Sequence, residues 1–485
     1  MSILDMDALE IAERIKNRKI TSEKATQTYI NHLKVFNPSV NCLVEDRFSD
    51  AIEDAKMADR LLKDGKAEGQ LFGVPISIKE CFDVEGMKTT GGLLHRKNKT
   101  ASKDAEVVSR LKAEGAIILG KTNTPSLCYY QETENPLYGR TNNPWDLNCT
   151  AGGSSGGEGA LMAAGGAAVG LGADIGGSIR FPSHFNGVVG FKSGKDQVSQ
   201  DGNYPHIEFE EQQRMLGIGG MGKSVRDIRL VDTIISKKRS GRIDLSSFEM
   251  LVPQYYTSPL GVETGRIIRN LKEEVASDFA VQQDNHVPLY EESALIWQQL
   301  MSMDGGHVLR QHLHDGKKRV SPYKEFVKAK LSRSEIHPYL SWAMIGMRLF
   351  KPSTKRMDAI RDHLKIGDEK LRAYYDRRIL IMPVYHSPAP EHGLLYKELF
   401  SVQKTFLRYI PYIAYANVWG LPSLVVPIGE SSKGLPISIQ LMSRVGNEEA
   451  LFQMGEILED RFRGYQRCNA HDSSEVSSES SVQLA

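Results

Sequence analysis

The stretch of sequence that decides the fold runs from residue 151 to residue 182: AGGSSGGEGALMAAGGAAVGLGADIGGSIRFP. Two glycine-rich clusters, one with Ser154 and one with Ser178, flank an apolar segment rich in alanine. An isolated Gly/Ser run is typical of a flexible linker. The segment between these clusters is too hydrophobic for a linker, so we interpret 151–182 as a structured core element with a turn at each end.

Ser178 is the candidate nucleophile. The glycines before it free the backbone to turn sharply and to direct successive N–H groups at one point, which is what an oxyanion hole requires. A serine hydroxyl is a weak nucleophile until a base takes its proton. Neither glycine cluster contains a histidine, so the base has to come from elsewhere in the chain.

Lys79 is the candidate base. It ends the segment LFGVPISIK at 71–79, where β-branched residues alternate with small or polar ones, as in a strand entered through a Gly/Pro turn. A buried lysine loses the hydration of its charged form, and the neutral amine is a usable base. A lone lysine at a strand end is usually a surface charge; the combination with two serine clusters favours the catalytic interpretation.

The flanking sequence predicts an α/β fold, with a sheet covered by helices. Apolar residues at helical spacing from 5 to about 66 predict a helical N-terminal layer, and the charged region from about 236 to 375 predicts covering helices and part of a substrate wall. A helix is predicted at 106–114. Strands are predicted at 116–121, 379–384, 423–427 and 436–441.

Composition indicates a soluble cytoplasmic protein that acts on a small neutral molecule. Among the 485 residues, 61 Lys and Arg balance 60 Asp and Glu, so no global field attracts nucleic acid. No apolar stretch reaches the length of a membrane-spanning helix, and the first residues lack the apolar core of a signal peptide. No metal site or cofactor is predicted, because the five cysteines are scattered singly, at Cys42, Cys81, Cys128, Cys149 and Cys468.

Two further motifs point to other enzymes. Residues 152–156 match G-x-S-x-G, the nucleophile elbow of α/β-hydrolases, which would make Ser154 the nucleophile; the preceding segment 144–149 is a poor strand, which disfavours this interpretation. Residues 217–222 match the dinucleotide-binding pattern G-x-G-x-x-G, but a polar run precedes them instead of a strand. We predict a loop there.

GGSSGG, DIGGSIR and the upstream GVPISIK together resemble the amidase signature family, and within it most closely the fatty acid amide hydrolases. The resemblance implies one large domain over 71–467 with a mixed, twisted sheet between helical layers. Residues 1–70 would form a helical layer packed on it, and 468–485 a disordered tail. A homodimer and peripheral contact with a membrane stay open.

The resemblance also implies roles for individual residues. Lys79 matches the base, Ser154 a bridging serine in a cis peptide, and Ser178 the acylated serine. The backbone N–H groups of Ile175, Gly176, Gly177 and Ser178 match the oxyanion hole. Three residues match supporting positions: Ser155, Asp174 and Arg180.

Three departures from the family pattern matter. Ala173 stands where many relatives carry Thr or Ser, and Lys192-Ser193 replaces the usual Lys-Pro. The apolar N-terminal helix of the membrane-bound relatives has no counterpart here, which weakens the case for lipid substrates. The apolar run 337–350 is either an ordinary buried helix or a cap over a lipid channel. Medium or long acyl amides are the first expectation for the substrate, and short or aryl amides the second.

Two other functions remain open from the sequence. The chain could be the glutamine-hydrolysing component of a tRNA-dependent amidotransferase, although its near-zero charge provides no RNA-binding footprint. It could also be a catalytically silent amide-binding protein, which the intact Lys-Ser-Ser set disfavours.

Overall fold

A large mixed β-sheet carries the candidate residues. The computed structural model describes residues 2–238, 241, 243–253, 259–282, 286–313, 321–331, 334, 336–395 and 410–472. The strands are β1 (Leu43–Asp46), β2 (Pro75–Lys79), β3 (Ile117–Thr122), β4 (Glu134–Asn135), β5 (Gly139–Arg140), β6 (Asn142–Asn143), β7 (Asp146–Thr150), β8 (Val169–Asp174), β9 (Val189–Lys192), β10 (Gly217–Gly222), β11 (Glu249–Leu251), β12 (Val281–Gln282), β13 (Arg378–Pro383), β14 (Ser423–Glu430) and β15 (Pro436–Met442).

The described part of the chain also contains 16 α-helices. They are α1 (Ala8–Lys16), α2 (Ser22–Val40), α3 (Phe48–Lys63), α4 (Glu106–Ala113), α5 (Gly156–Ala163), α6 (Arg180–Asn186), α7 (Glu210–Gln213), α8 (Val225–Ile235), α9 (Val262–Val275), α10 (Ser293–Met301), α11 (His307–His312), α12 (Pro322–Lys330), α13 (Pro338–Leu349), α14 (Thr354–Tyr374), α15 (Pro411–Val418) and α16 (Glu448–Arg461). Among the described residues, no helix is both long enough and apolar enough to cross a membrane.

The main sheet has 11 strands in the order β1-β3-β2-β8-β10-β9-β14-β15-β13-β11-β12. Strand β2 runs parallel to β3 and β8, whereas β10 runs antiparallel to both of its neighbours. The α/β prediction with a mixed sheet is therefore confirmed. The predicted strands and the helix at 106–114 all occur. Most of their bounds agree within about two residues, but the strand predicted at 423–427 continues to Glu430, and the strand in the segment 71–79 begins only at Pro75.

Helices cover both faces at the centre of the sheet. A Cβ added to Gly172 of β8 would meet Ser155 and Ile179, next to α5 and α6. Gly220 of β10 pairs with Leu171, the residue before Gly172 on β8. Successive residues of a strand face opposite sides of the sheet, so Gly220 and Gly172 face opposite sides. A Cβ at Gly220 would meet α8. The sheet therefore lies between two helical layers, as the resemblance implies.

The predicted loop at 217–222 is wrong, because this segment is strand β10 and is buried along its whole length. Its glycines serve close packing and not a turn. A Cβ at Gly219 would overlap the carbonyl oxygen of Phe191, and one at Gly220 would lie 3.0 Å from Ile228 Cδ1. The strand was missed because the usual signal, a run of β-branched and aromatic residues, is absent from GIGGMG.

The N-terminal 70 residues contain α1, α2 and α3, and also β1, which helical spacing does not predict. β1 pairs with β3 and forms one edge of the sheet. The predicted disordered tail begins at 468, and its residues 473–485 lie outside the described part of the chain. The division into these three regions stays a prediction.

Distant parts of the chain converge on the last turn of α5. Its carbonyl groups at Met162 and Ala163 accept hydrogen bonds from the Tyr465 hydroxyl at 2.9 Å and from the Cys468 amide at 2.8 Å. The next carbonyl, at Ala164, lies 2.7 Å from His32 Nε2 on α2. The unpaired carbonyls that every helix leaves at its end are thus satisfied here by residues far away in sequence.

The packing around β10 predicts the effect of a single methyl group. Gly219→Ala should lower the free energy of unfolding by about 1–3 kcal/mol, because the new Cβ overlaps backbone that cannot move aside. Gly265→Ala on α9 is the matched control: its Cβ meets only ordinary contacts at 3.7 Å or more, and it should stabilise by up to about 1 kcal/mol. Urea unfolding of both variants measures this, and equal stabilities would refute the close approach.

Candidate active site

Lys79 ends strand β2 and is fully buried. Its Nζ lies 2.7 Å from Ser154 Oγ and 3.3 Å from the carbonyl oxygen of Ala173. The alternation of β2 directs Ser77 and Lys79 to the same face of the sheet, the face on which α5 packs. The predicted base and the predicted bridging serine are therefore in direct contact.

Ser154 lies just before α5, and the peptide bond between Gly153 and Ser154 is cis, as the resemblance implies. Thr124 Oγ1 donates to the carbonyl oxygen of Ser154 at 3.0 Å. The Ser155 amide donates to the carbonyl oxygen of Ser178 at 3.0 Å. This last bond joins the two serine clusters through the backbone.

The elbow interpretation loses support from this arrangement. An elbow serine follows a central strand of the sheet and contacts a histidine. Strand β7, which precedes Ser154, pairs with β6 in a separate two-stranded sheet and is not a strand of the main sheet. The Ser154 hydroxyl contacts Lys79.

The turn at 175–178 connects β8 to α6 and carries Ser178. The Gly177 amide donates to Asp174 Oδ1 at 2.8 Å, and Gly177 adopts a φ of 92°, in the region that favours glycine. The other three predicted oxyanion donors have no hydrogen-bond acceptor within the described residues; these are the amides of Ile175, Gly176 and Ser178. Three of the four predicted donors are thus available, and the fourth is already occupied.

Asp174 and Arg180 form a fully buried ion pair at 3.0 Å behind this turn. Arg180 also donates to Asn417 Oδ1 at 2.5 Å and to Gln440 Oε1 at 3.1 Å. Burial alone would raise the pKa of Asp174, but the charge and hydrogen bonds of Arg180 hold it well below its usual range. The pair orients the turn, in keeping with the predicted supporting role.

Glu158 is a site residue that the sequence analysis did not single out. It is buried on α5 and accepts hydrogen bonds from the hydroxyls of Ser77 and Thr122, the second at 2.7 Å. Burial raises the pKa of Glu158 to about 7, against the opposing effects of these two hydroxyls and of the positive charge on Lys79. A titratable carboxyl therefore lies within electrostatic reach of the candidate base.

Ser178 lies where two cavities meet. A narrow cavity of about 70 Å³ is lined by Lys79, Ser154 and Ser178; the rest of its lining is mainly apolar, with His206 and Asp304 among the polar side chains. A wide cavity of about 410 Å³ starts at the same serine and has mainly apolar walls. Its lining includes Ile175, Trp297, Met301, Tyr339, Trp342, Ile345, Leu349 and Phe350.

The apolar run at 337–350 forms α13 and contributes one wall of the wide cavity. Trp297, on α10, also lines this cavity, and its Nε1 donates to the carbonyl oxygen of Ile175 at 2.9 Å. At the outer end of α13, Leu349 and Phe350 are exposed to solvent. The helix is thus part of the cavity wall and also reaches the surface.

Comparison with known proteins identifies the family. The amidase family model matches residues 24–452. Fatty-acid amide hydrolase 2-B of Danio rerio is 32% identical over 494 residues, covering 96% of this chain and 90% of the relative. The glutamyl-tRNA(Gln) amidotransferase chain of Lachnospira eligens is 30% identical over 483 residues, covering 94% and 98%. A crystal structure of an amidase superimposes with a TM-score of 0.80 at 26% identity, covering 94% of this chain and 100% of that one.

These matches define the class of the protein, a hydrolase that acts on amide bonds. The chain belongs to the amidase family, as its glycine-serine clusters predict. Its relatives include both fatty-acid amide hydrolases and amidotransferase chains.

The raised pKa of Glu158 predicts a stability that depends on pH. A carboxyl whose pKa rises on folding contributes stability that is complete below its unfolded pKa of about 4.3 and is lost as the pH rises through its folded pKa. Between pH 4 and pH 8, wild type should lose roughly 3 kcal/mol relative to Glu158→Gln, which cannot ionise. Urea unfolding across this range measures the difference. The exposed Glu13→Gln is the charge-matched control, and a difference that stays constant with pH would contradict the prediction.

Proposed function

We propose that the protein hydrolyses carboxylic amides through a relay of Lys79, Ser154 and Ser178, with an acyl-enzyme on Ser178. The observation that carries the proposal is the 2.7 Å contact between the buried Lys79 Nζ and Ser154 Oγ, beside the cavity that also contains Ser178. A buried amine at hydrogen-bonding distance from a hydroxyl can pass a proton in either direction.

In the first half of the cycle, Lys79 acts in its neutral form, after loss of the proton that it carries in its positively charged form. It accepts the proton of Ser154, and Ser154 accepts that of Ser178. The Ser178 oxygen attacks the amide carbonyl. The free amides of Ile175, Gly176 and Ser178 stabilise the oxyanion that develops. We assign the Gly177 amide a supporting role, because its bond to Asp174 holds the turn in shape.

In the second half, the relay runs in reverse. Lys79 returns its proton through Ser154 to the leaving amine, which lets the C–N bond break. Water then attacks the acyl-enzyme along the same path and releases the carboxylate. The leaving amine receives its proton from the side of Lys79 and Ser154, so it departs into the narrow cavity that these residues line. The small volume of this cavity suits ammonia or a small amine.

The wide cavity supports an apolar acyl group as the larger part of the substrate. At about 410 Å³ it is within the usual range of small-molecule sites, and its aromatic walls favour a hydrocarbon chain through burial of apolar surface. The similarity to a fatty-acid amide hydrolase of Danio rerio supports the same choice. The net charge of +1 favours a neutral substrate, and the exposed Leu349 and Phe350 would assist contact with an apolar surface.

The second candidate function is release of ammonia from glutamine within a tRNA-dependent amidotransferase, as the name of the Lachnospira relative suggests. Glutamine carries a charged α-amino and α-carboxyl group. The apolar wide cavity is a poor environment for those charges, because burying an unpaired charge is costly. Hydrolysis of acyl amides by the purified chain, without partner proteins, would exclude this function.

The relay predicts where a mechanism-based probe reacts. A fluorophosphonate should form its adduct on Ser178, located by peptide mass spectrometry. Ser178→Ala should abolish the adduct and lower kcat by roughly 10⁴–10⁶-fold, whereas Lys79→Ala should slow both reactions by about 10²–10⁴-fold, the usual contribution of a general base. An adduct on Ser154, or a reaction rate unaffected by Lys79→Ala, would refute the relay.

The wide cavity predicts a dependence on acyl chain length. Gly346 lines this cavity, and a Cβ built on it meets no atom within 4 Å. Gly346→Leu should therefore fill part of the cavity and lower kcat/KM for a long-chain amide about 10-fold or more, at roughly 1 kcal/mol per excluded methylene, with little change for an acetyl amide. Arg348→Leu adds the same side chain at an exposed position of α13 and is the control. Equal losses for short and long chains would place the acyl group elsewhere.

A further inference from the structure

Two thiols lie beside the catalytic lysine, and the proposed relay uses neither. Cys81 follows the end of β2 by two residues, and Cys128 lies on the segment that follows β3. Both line the narrow cavity together with Lys79 and Ser154. Cys128 also lines the wide cavity and is partly accessible, whereas Cys81 is buried. A molecule in the wide cavity can therefore touch one of the two thiols.

The local backbone presents Cys128 to the cavities in an uncommon way. Both Leu127 and Cys128 have a φ of 57°, in the left-handed region that residues with a side chain rarely adopt. The sulfur of Cys128 lies 3.2 Å from Thr124 Oγ1, the same hydroxyl that donates to the carbonyl oxygen of Ser154. Conformations of this kind cost free energy and are concentrated at functional sites.

Cys128 differs chemically from the other four cysteines. Its hydrogen bond from the Cys81 thiol lowers the pKa of Cys128 to about 5; burial opposes the shift, and the positive charge on Lys79 reinforces it. Burial raises the pKa of Cys149 to about 11. The pKa is raised at the remaining three as well, Cys42, Cys81 and Cys468. Since the thiolate is the reactive form of cysteine, reactivity should be concentrated at one residue.

We propose that Cys128 is a covalent modification site for apolar α,β-unsaturated carbonyl compounds, which enter through the wide cavity and block amide hydrolysis. The cavity walls bind the apolar part of such a compound, and the sulfur lies at their inner end. The class follows from the site: a soft, partly accessible sulfur nucleophile behind an apolar entrance selects a soft, uncharged electrophile.

The chemical step is an addition that balances without an oxidant or a further reactant. The thiolate sulfur forms a bond to the β-carbon, and the π-electron pair of the C=C bond moves to the α-carbon. The α-carbon then takes up a proton from the Lys79 side of the site or from water. This proton balances the one that the thiol lost when it became a thiolate. The product is a thioether beside Lys79 and Ser154, where it occupies the space needed by the substrate.

Competition among the five thiols tests the site directly. The protein is treated with substoichiometric N-ethylmaleimide at pH 6 and at pH 8, and each cysteine peptide is quantified by mass spectrometry. Cys128 should react at least about 10-fold faster than the other thiols at pH 6, and its rate should change less than about 3-fold up to pH 8. An ordinary thiol with a pKa of about 8.5 gains on the order of 10²-fold over that range. Even labelling of several thiols, or an ordinary pH profile at Cys128, overturns the proposal.

Two variants separate the contribution of Cys81 from simple packing. Cys128→Ser should lose the fast label. Cys81→Ala removes the thiol that donates to Cys128, so labelling of Cys128 should slow at pH 6 and recover at pH 8. Cys149→Ala, at a buried thiol elsewhere, is the control and should leave both rates unchanged. If Cys128 is labelled at pH 6 as fast in Cys81→Ala as in wild type, the Cys81 thiol does not activate Cys128.

Performing the labelling in Ser178→Ala keeps this proposal independent of the relay, because no turnover is required. Blocking is measured separately, by fluorophosphonate labelling of Ser178 before and after treatment with an N-alkylmaleimide. In wild type, the maleimide adduct should abolish fluorophosphonate labelling of Ser178. In Cys128→Ser, maleimide treatment should leave the labelling of Ser178 at the level measured for the same variant before treatment. N-dodecylmaleimide should react faster than N-ethylmaleimide if the apolar cavity is the route of entry; an equal or slower reaction overturns that route.

Discussion

The carboxylate of Asp174 is the point on which the arrangement of the candidate site depends. It accepts hydrogen bonds from the backbone amides of Gly177, Ile179 and Arg180, two from the Arg180 side chain, and one from Asn417. One buried charge thus determines the course of the turn that carries the nucleophile. Such an interaction is expensive to disrupt, because loss of either partner leaves the other charged, buried and unpaired.

The same ion pair joins elements that are far apart in the chain. Arg180 extends from α6 to Asn417 on α15 and to Gln440 on β15. Gln440 in turn donates to the carbonyl oxygens of Pro383 and Tyr412. The turn at 175–178 is therefore supported from the far half of the sheet, and strands without catalytic residues still contribute to the accuracy of the site.

Much of this arrangement is readable from local sequence. The α/β class and the strands β2, β3, β13, β14 and β15 follow from a local pattern, the alternation of β-branched residues with small or polar ones, whereas the pairing of Lys79 with Ser154 was implied by the family resemblance. The three strands at the centre of the sheet, β8, β10 and β9, were not predicted from the sequence. Strand β10 is the instructive failure. Its glycines are required because β9 and α8 pack so closely against it that a side chain would not fit. Such a requirement produces no periodic pattern in the sequence. The strands β11 and β12 at the far edge are too short to be recognised.

The features that were missed depend on contacts between distant segments. Glu158 is one polar residue within an apolar helix, and nothing nearby in sequence indicates that the hydroxyls of Ser77 and Thr122 meet it. Cys81 and Cys128 belong to different βα units, and they meet because β2 and β3 are parallel neighbours whose ends lie at the same edge. Spacing along the chain carries no information about such pairs, since the tertiary fold brings them together.

The hydrogen bonds to the carbonyl groups in the last turn of α5 have a consequence for the synthesis of the protein. This helix begins beside Ser154, yet the partners of its final carbonyls include Tyr465 and Cys468, which leave the ribosome some 300 residues after the helix itself. Until then the Ala163 carbonyl lacks its bond from the Cys468 amide, and the Met162 carbonyl has only its local bond from the Gly165 amide. A nascent chain that already contains Lys79, Ser154 and Ser178 is consequently expected to lack the rigidity of the finished site, which delays nucleophilic reactivity until the segment with Tyr465 and Cys468 has been made.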